Sequence, residues 1–147
     1  MKPFSAFVEQ LGIEDTLTTA ERVEGYMPLS PALHQPFGVV HGGATISFLE
    51  TLASRGAIFR IDPERERAFG ADVHVRHCKP ASTGVMRGYA QLERLEGNKQ
   101  FWEVRAFDDE GDVVSEGVII TKIVTLERLA QRAAEAQKAK ELQRTQS

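Results

Sequence analysis

A single carboxylate stands in the most apolar stretch of this chain. The segment 42–59 reads GGATISFLETLASRGAIF, and its only charged residues are Glu50 and Arg55. Its apolar residues recur at helical spacing around most of the circumference, so the predicted helix should lie inside the fold. Because an ionised carboxylate is costly to bury, Glu50 needs an explanation. Acid–base or nucleophilic catalysis is one explanation, and a boundary position paired with a lysine or arginine is another.

The turn His41-Gly42-Gly43 leads into this helix and could bind an oxyanion. Glycines allow unusual backbone dihedrals and close approach of a ligand, and the first amides of a helix have no internal acceptor. Such N–H groups, aided by the helix dipole, can stabilise the charge that develops on a carbonyl oxygen. The double glycine could equally serve only to make a tight entry into the helix.

Glu50 and Gly42 are too far apart to serve one substrate from the same chain. Glu50 follows Gly42 by eight residues, which is about 12 Å along a helix axis. If both groups act on one carbonyl, the site must therefore lie between two subunits. Ser54 follows Glu50 by about one turn and, with Ser47, shares its helix face, so a hydroxyl there could orient the carboxylate or bind water.

We do not expect the two histidines of one predicted strand to hold a metal together. His74 and His77 lie three apart in a predicted strand, so their side chains leave on opposite faces. His77 has the same strand parity as Val73 and Val75, which places it on the inner face. Cys78 points to the other face, so the adjacent pair of His77 and Cys78 is a poor candidate for a nucleophilic dyad. We see no metal-ligand spacing, phosphate-binding loop or Ser/His/Asp pattern elsewhere in the sequence.

After a charged turn at about 62–67, the hydrophobic pattern changes to period two. It predicts four strands, at about 70–78, 84–95, 100–107 and 113–124. Compact polar turns separate the later strands, so consecutive strands should pair antiparallel. A long apolar helix followed by such strands indicates an α+β domain whose sheet wraps around the helix.

The two ends of the chain carry weaker signals. A short helix is predicted over 4–11, ending at Gly12, followed by one strand within 16–29 and an irregular loop. The sequence from Leu126 is rich in Ala, Gln, Lys and Glu and has a thin apolar stripe, which predicts a helix packed on the subunit surface. We therefore expect a main domain of residues 1–125 and a C-terminal helical extension of residues 126–147.

Composition narrows the possible partners and location. The chain has 147 residues, a net charge of -3 and 41% hydrophobic residues, which suits one compact domain without a basic field for nucleic acid. Cys78 is its only cysteine, which excludes an internal disulfide. Since we see neither a signal peptide nor a membrane span, we expect a cytoplasmic protein without a membrane partner.

The segment QPFGVVHGGA, from Gln35 to Ala44, followed by Phe48-Leu49-Glu50-Thr51, resembles the signature of hotdog-fold thioesterases. The resemblance is strongest to the branch of phenylacetate-degradation, 4-hydroxybenzoyl-CoA (Arthrobacter-type) and 1,4-dihydroxy-2-naphthoyl-CoA thioesterases. It extends over about residues 35–122, and its most specific part is His-Gly-Gly with a carboxylate seven residues after the second glycine. The resemblance implies a hotdog fold and hydrolysis of an acyl-CoA.

The same resemblance implies the catalytic roles. Glu50 would attack the thioester carbon or deprotonate a water that does so. Gln35, His41 and the Gly42 amide would hold the carbonyl oxygen, and Ser54 would stand beside the nucleophile or water. The family needs no metal or redox cofactor, since coenzyme A is part of the substrate, and its subunits form dimers that pair as tetramers.

The substrate contacts implied by the resemblance are less specific. Gly43, Thr51 and His77 would contact the substrate, and the combination of Gln35 with Glu50 favours an aromatic or arylacetic acyl group. Phosphates need cations or free amides at a rim, so the coenzyme A contacts are predicted among residues at the end of the first of the four strands. These residues are Arg76, Lys79 and Ser82.

Two other functions are compatible with a hotdog fold. A hydratase or dehydratase would also bind acyl-CoA, but it should present a different arrangement of histidine and acid. A non-catalytic acyl-CoA-binding subunit would not need Glu50, Gln35 and Ser54 together. The sequence therefore favours hydrolysis.

Overall fold

The computed structural model describes residues 5–146. The described chain forms these elements in order: α1 (Ala6–Leu11), β1 (Glu14–Thr18), β2 (Arg22–Pro28), a 3-10 turn (Pro31–Leu33), α2 (Gly42–Phe59), β3 (Glu66–His77), β4 (Val85–Glu96), β5 (Lys99–Phe107), β6 (Val113–Thr125) and α3 (Leu126–Thr145).

The strands form one six-stranded antiparallel sheet in the order β1-β2-β4-β5-β6-β3. Helix α2 contacts all six strands and lies against the sheet's inner face. Its buried side chains Phe48, Leu49 and Leu52 meet fully buried residues of the sheet, including Trp102 and Ile119. The α+β arrangement expected from the sequence, with a sheet wrapped around a long central helix, is confirmed.

The pairing of β3 differs from the prediction that consecutive strands are neighbours. Strand β3 pairs with β6 along the sheet edge, whereas β4, β5 and β6 form the expected meander. The segment between β3 and β4 contains Pro80 and the positive-φ Gly84. It bonds to Val114 and Val40 instead of closing a hairpin, since the amides of Cys78 and Val40 donate to Val114 and Ala81 respectively.

The prediction of a single strand within 16–29 is wrong, because β1 and β2 form a hairpin there. The Thr19 hydroxyl accepts the amide of Arg22 at 2.8 Å and that of Glu21 at 3.3 Å. A turn held by a threonine side chain lacks the glycine or proline that marks most turns in a sequence. Strand β3 also begins at Glu66, inside the predicted charged turn, because it pairs with β6 from Thr125 onward.

The terminal helices differ in how closely they follow the prediction. Helix α1 begins after Ser5, whose hydroxyl accepts the Val8 amide, and ends at Gly12 with φ of 72°; Phe4, where the predicted helix starts, lies outside the described residues. Helix α3 follows β6 directly, but it buries no residue and is exposed from Ala130 onward. The predicted packing on the subunit is seen only in the first turn, where Leu126 and Leu129 are half-buried; the later stripe residues are alanines, which offer little apolar area to bury.

The second charge of α2 has a partner in the sheet. The Arg55 guanidinium pairs with the carboxylate of Asp15 on β1, and both side chains are largely buried. Burial lowers the pKa of Arg55. The ion pair with Asp15 therefore accounts for the burial of Arg55. Glu50 is the other charged residue of α2, and its position still needs an explanation.

Candidate active site

The loop before α2 holds Gln35 in one orientation. The Gln35 amide N–H donates to the Val39 carbonyl at 2.8 Å, and Gly38, with φ of 81°, donates to the Gln35 carbonyl at 3.0 Å. The backbone N–H of Phe37 donates to Gln35 Oε1. Because that bond occupies the side-chain oxygen, the carboxamide NH2 of Gln35 is the end left to meet a ligand.

The first turn of α2 uses one glycine amide and leaves the other. His41 is the N-cap, and its Nδ1 accepts the Gly43 amide at 2.9 Å. Within residues 5–146 the Gly42 amide has no acceptor. An unpaired N–H at a helix N-terminus is suited to a developing oxyanion. Of the two glycines, Gly42 is therefore the available donor, while the Gly43 amide is already engaged.

His77 lies directly against Gly42. Its Nδ1 is 2.7 Å from the hydroxyl oxygen of Ser115 on β6, and a Cβ placed on Gly42 would be 2.7 Å from His77 Nε2. Position 42 is thus a glycine because the imidazole needs the space. Neither Gly42 nor Gly43 has a positive φ, so close approach explains the pair and unusual dihedrals do not.

These groups share a cavity of about 320 Å³ at the start of α2. Its wall is formed by Gln35, Val39, Val40, Gly42, Thr45, His77, Cys78, Lys79, Pro80 and Val114. Residues that are far apart in the sequence meet here because β3 pairs with β6 and lies across the N-terminus of α2. Two polar donors, Gln35 and Gly42, therefore line one small space together with His77 and apolar residues such as Val40 and Val114.

Glu50 does not line this cavity. It lies on α2 beside the edge strand β3, where a Cβ on Gly70 would overlap Glu50 Oε1. In the part of the chain that the structure describes, its carboxylate has no hydrogen bond or ion pair. The expected alternative, a pairing with lysine or arginine, is not found within residues 5–146.

The hydroxyl groups near Glu50 differ in availability. Ser47 Oγ donates to the Gly43 carbonyl at 2.8 Å, and Thr51 Oγ1 donates to the Ser47 carbonyl at 2.6 Å. Both hydroxyls are occupied by the helix backbone. Ser54 is half-buried, and its hydroxyl has no partner among residues 5–146, so it is the one left to contact a water or substrate.

The three residues predicted to contact coenzyme A lie in different surroundings. Arg76 points to the outer face of the sheet and pairs with Glu116 at 2.6 Å, which raises the pKa of Arg76 and lowers that of Glu116. The Ser82 carbonyl accepts His34 Nε2–H at 2.6 Å, which ties the two loops beside the cavity together. Of the three, only Lys79 lines the cavity.

Lys79 is held by the turn between β5 and β6. Its Nζ is 2.7 Å from Asp108, 2.7 Å from Asp112 and 3.3 Å from Glu110. Hydrogen bonds to Asp108 and then Asp112 raise the pKa of Lys79, and Lys79 lowers the pKa of Asp108. The three carboxylates approach one another closely enough to hold a cation, and the ammonium of Lys79 is the cation they surround.

Sequence reasoning missed two buried polar residues of this region, Ser115 and Thr45. Both are almost fully buried; Ser115 contacts His77, and Thr45 lines the cavity. The strand alternation could have placed Ser115 on the inner face, where a buried serine hydroxyl among apolar residues needs a hydrogen-bond partner. Its partner could not be read from the sequence, because the contact joins β3 and β6.

The described residues include no helix long and apolar enough to span a membrane.

Comparisons with known proteins identify the family. The sequence profile of the thioesterase superfamily matches residues 37–115. The chain is similar to the proofreading thioesterase EntH of Cronobacter turicensis, with 35% identity over 104 residues, 71% of this chain and 75% of the relative.

Solved structures agree. Thioesterase HI1161 of Haemophilus influenzae superimposes with a TM-score of 0.76 at 25% identity, over 83% of this chain and 85% of the other. A mutant of thioesterase PA1618 of Pseudomonas aeruginosa gives a TM-score of 0.78 at 24% identity, over 83% and 88% of the two chains. The fold is the hotdog fold, and this chain belongs to the thioesterase superfamily and is a thioester hydrolase.

Proposed function

We propose that this protein hydrolyses the coenzyme A thioester of an aromatic or arylacetic acid to the free acid and coenzyme A. The position of Glu50 carries the proposal. Within the described chain this carboxylate has no partner. It lies beside Gly70 of β3, an outer strand of the sheet that pairs with β6 on one side only. A partly buried carboxylate that no residue neutralises is suited to act as a base or nucleophile.

The groups around the cavity supply the other half of the reaction. The Gly42 N–H and the Gln35 NH2 would donate to the thioester oxygen as it becomes negatively charged. His41 uses Nδ1 to cap the helix, so it would contact the substrate through Nε2. The Gly43 amide and the Thr51 hydroxyl are bonded within α2, so these two residues would contribute to substrate binding by fixing the helix backbone. Glu50 would attack the carbonyl carbon or deprotonate a water held by Ser54, and the coenzyme A thiolate would leave.

A second copy of the chain is needed to bring these halves together. Gly42 and Glu50 sit at opposite ends of a segment of α2 about 12 Å long. Strand β3 is an outer strand of the sheet, and its side chains Phe69 and Val73 are 48% and 38% exposed. An exposed edge with apolar side chains is suited to pairing with another strand. We propose that dimers form at β3 and place Glu50 of one copy beside Gly42 of the other, and that dimers associate as tetramers.

The remaining expectations also belong to this proposal. Arg76, Lys79 and Ser82 are the proposed contacts for coenzyme A, and of these Lys79 lines the cavity. Lys79 is surrounded by three carboxylates, so it would have to exchange at least one of them for a phosphate. Protein groups alone would carry the reaction, without a metal or redox cofactor. The exposed thiol of Cys78 suits a reducing cytoplasm.

A thiol-release assay tests the function. Purified protein should release free thiol from benzoyl-CoA or phenylacetyl-CoA far faster than buffer does, and Glu50→Gln should remove the difference. The acid product should be confirmed by chromatography, since a hydratase would consume an unsaturated acyl-CoA without releasing thiol. Absence of thiol release from every aromatic and aliphatic acyl-CoA tried would refute the proposal.

A further inference from the structure

A buried hydroxyl lies behind His77. Ser115 on β6 is 0% exposed, and its Oγ is 2.7 Å from His77 Nδ1. Among residues 5–146, His77 is the only hydrogen-bond partner of this hydroxyl. The position of the proton between the two atoms therefore decides whether the buried hydroxyl is satisfied.

Only one arrangement leaves every group paired. If Ser115 O–H donates to Nδ1, the hydroxyl is satisfied and the ring proton resides on Nε2. If Nδ1–H donates to Ser115 instead, the hydroxyl hydrogen points into a sealed region without an acceptor, which costs free energy. Burial of Ser115 thus favours the tautomer with the proton on Nε2.

The Nε2 atom faces the proposed oxyanion site. It lies against Gly42, whose amide has no acceptor within the described chain, and both residues line the same cavity. We infer that Ser115 fixes His77 in the Nε2–H tautomer, so that His77 is a further donor, beside the Gly42 amide and Gln35, to the thioester carbonyl oxygen. This inference rests on the proposed thioesterase function; Ser115 is a positioning residue and acts only through His77.

The tautomer can be measured without any substrate. Protein labelled with 15N-histidine should show, in a long-range proton–nitrogen correlation spectrum at pH about 8, an unprotonated Nδ1 and a protonated Nε2 for His77. The signal is assigned by its loss in His77→Gln. Ser115→Ala should change the pattern to a mixture of tautomers. A proton found on Nδ1 in the unmodified protein would overturn the inference.

Kinetics test the donor role. Loss of one oxyanion donor costs about 100-fold or more in kcat, so His77→Leu should lose about that much while KM changes little. His77→Gln, whose amide nitrogen can reach the position of Nε2, should retain more activity. Ser115→Ala should lower kcat about tenfold through misorientation of the ring, and Ser115→Thr should restore most of it.

A matched control separates this role from simple stability. Thr121 is another fully buried hydroxyl of β6, and it bonds to Trp102 and Gln100 away from the cavity. Thr121→Val should lower the melting temperature without lowering kcat of the folded fraction. Equal kcat for Ser115→Ala and unmodified protein would overturn the positioning role of Ser115, and equal kcat for His77→Leu would overturn the donor role of His77. If the unmodified protein releases no thiol, the proposed function fails, whereas the spectrum still reports the tautomer.

Discussion

Glu50 and Gly70 are in contact across the boundary between the central helix and the edge strand. A Cβ on Gly70 would overlap Glu50 Oε1, so the carboxylate fills the space that a side chain would otherwise take. Strand β3 is irregular at this point, because its register with β6 shifts between Gly70 and Asp72. The glycine and the bulge together make room for a carboxylate at the edge of the sheet.

Removing the charge of Glu50 should abolish most of the activity. Loss of a positioned acid–base group typically costs 100-fold or more, so Glu50→Gln and Glu50→Ala should lower kcat by at least about 100-fold, with KM within a small factor. Folding should survive, because the neutral side chain removes a costly partly buried charge. Steady-state thiol release measures the effect, and the exposed Glu93→Gln is the control. Turnover within tenfold of unmodified protein would exclude Glu50 as the catalytic carboxylate.

Adding a methyl group at Gly70 should displace Glu50 without removing it. We expect Gly70→Ala to lower kcat by about tenfold or more, because misplacing a reacting group by about 1 Å can cost up to 100-fold. Ala71→Ser is the matched control, since Ala71 is the exposed neighbour at the same bulge. Circular dichroism should show the same fold for both variants. Equal kcat for the two would mean that the Glu50–Gly70 contact does not position the carboxylate.

Subunit mixing should restore activity if the site is shared. Gly42→Pro removes the free amide, and Glu50→Gln removes the carboxylate. The backbone accepts proline at the first position of α2, since His41 before it is already extended, with φ of -64° and ψ of 130°. Its Cβ would also displace the His77 imidazole, which belongs to the same half of the site as Gly42. Random mixing gives about half heterodimers with one intact site each, so about a quarter of full activity should return.

The mixing experiment needs proof of exchange. Differently tagged chains should be refolded together and the heterodimer isolated through both tags. A folded heterodimer without activity, formed from folded parents, would contradict the shared site. Activity of the separate Glu50→Gln parent would instead contradict the role of the carboxylate.

Compact aromatic acyl groups should be preferred over long chains. The cavity of about 320 Å³ is near the lower limit for ligand pockets, and its apolar wall includes Val39, Val40 and Val114. We expect kcat/KM for benzoyl-, hydroxybenzoyl- or phenylacetyl-CoA to exceed that for palmitoyl-CoA by at least about tenfold, because burying a ring of fitting size contributes binding free energy. Thiol release measured over a panel that also includes medium-chain acyl-CoA esters tests this preference. Preference for palmitoyl-CoA would reject the aromatic assignment.

The Lys79 cluster should stabilise the fold in a pH-dependent way. Lys79 lowers the pKa of Asp108, so the contribution of the ionised Asp108 is present above its unfolded pKa of about 3.9 and is lost as pH falls through the lower folded value. Asp108→Asn keeps the acceptor for the Glu110 and Asp112 amides but removes the charge. Its melting temperature should be lower than that of unmodified protein at pH 7.

The difference in melting temperature should shrink as pH falls below about 4, where Asp108 of the unfolded chain becomes protonated, and it should vanish below the lower pKa of the folded state. Glu110→Gln is the control, because Glu110 is more exposed and farther from Lys79, and its effect should be smaller. A difference that stays constant from pH 7 to pH 3 would show that the charge of Asp108 does not contribute.

The sequence by itself determined the features that depend on neighbours along the chain. Helical periodicity located α2 within 42–59, alternation located β4 to β6, and the polar turns between them predicted their meander. The rise of a helix was enough to separate Gly42 from Glu50, which is the basis of the proposed two-chain site. The family signature supplied the candidate residues of both halves, because it too is a local pattern.

Only the tertiary structure decided the contacts between distant segments. The pairing of β3 with β6 places His77 beside Ser115 and Gly42, and it places Gly70 at the edge beside Glu50. No local pattern encodes this pairing, because an outer strand can join either end of a sheet with the same alternation. The hairpin held by Thr19 and the Lys79 cluster escaped prediction for the same reason: side-chain hydrogen bonds and long-range ion pairs follow from which segments meet in the folded chain.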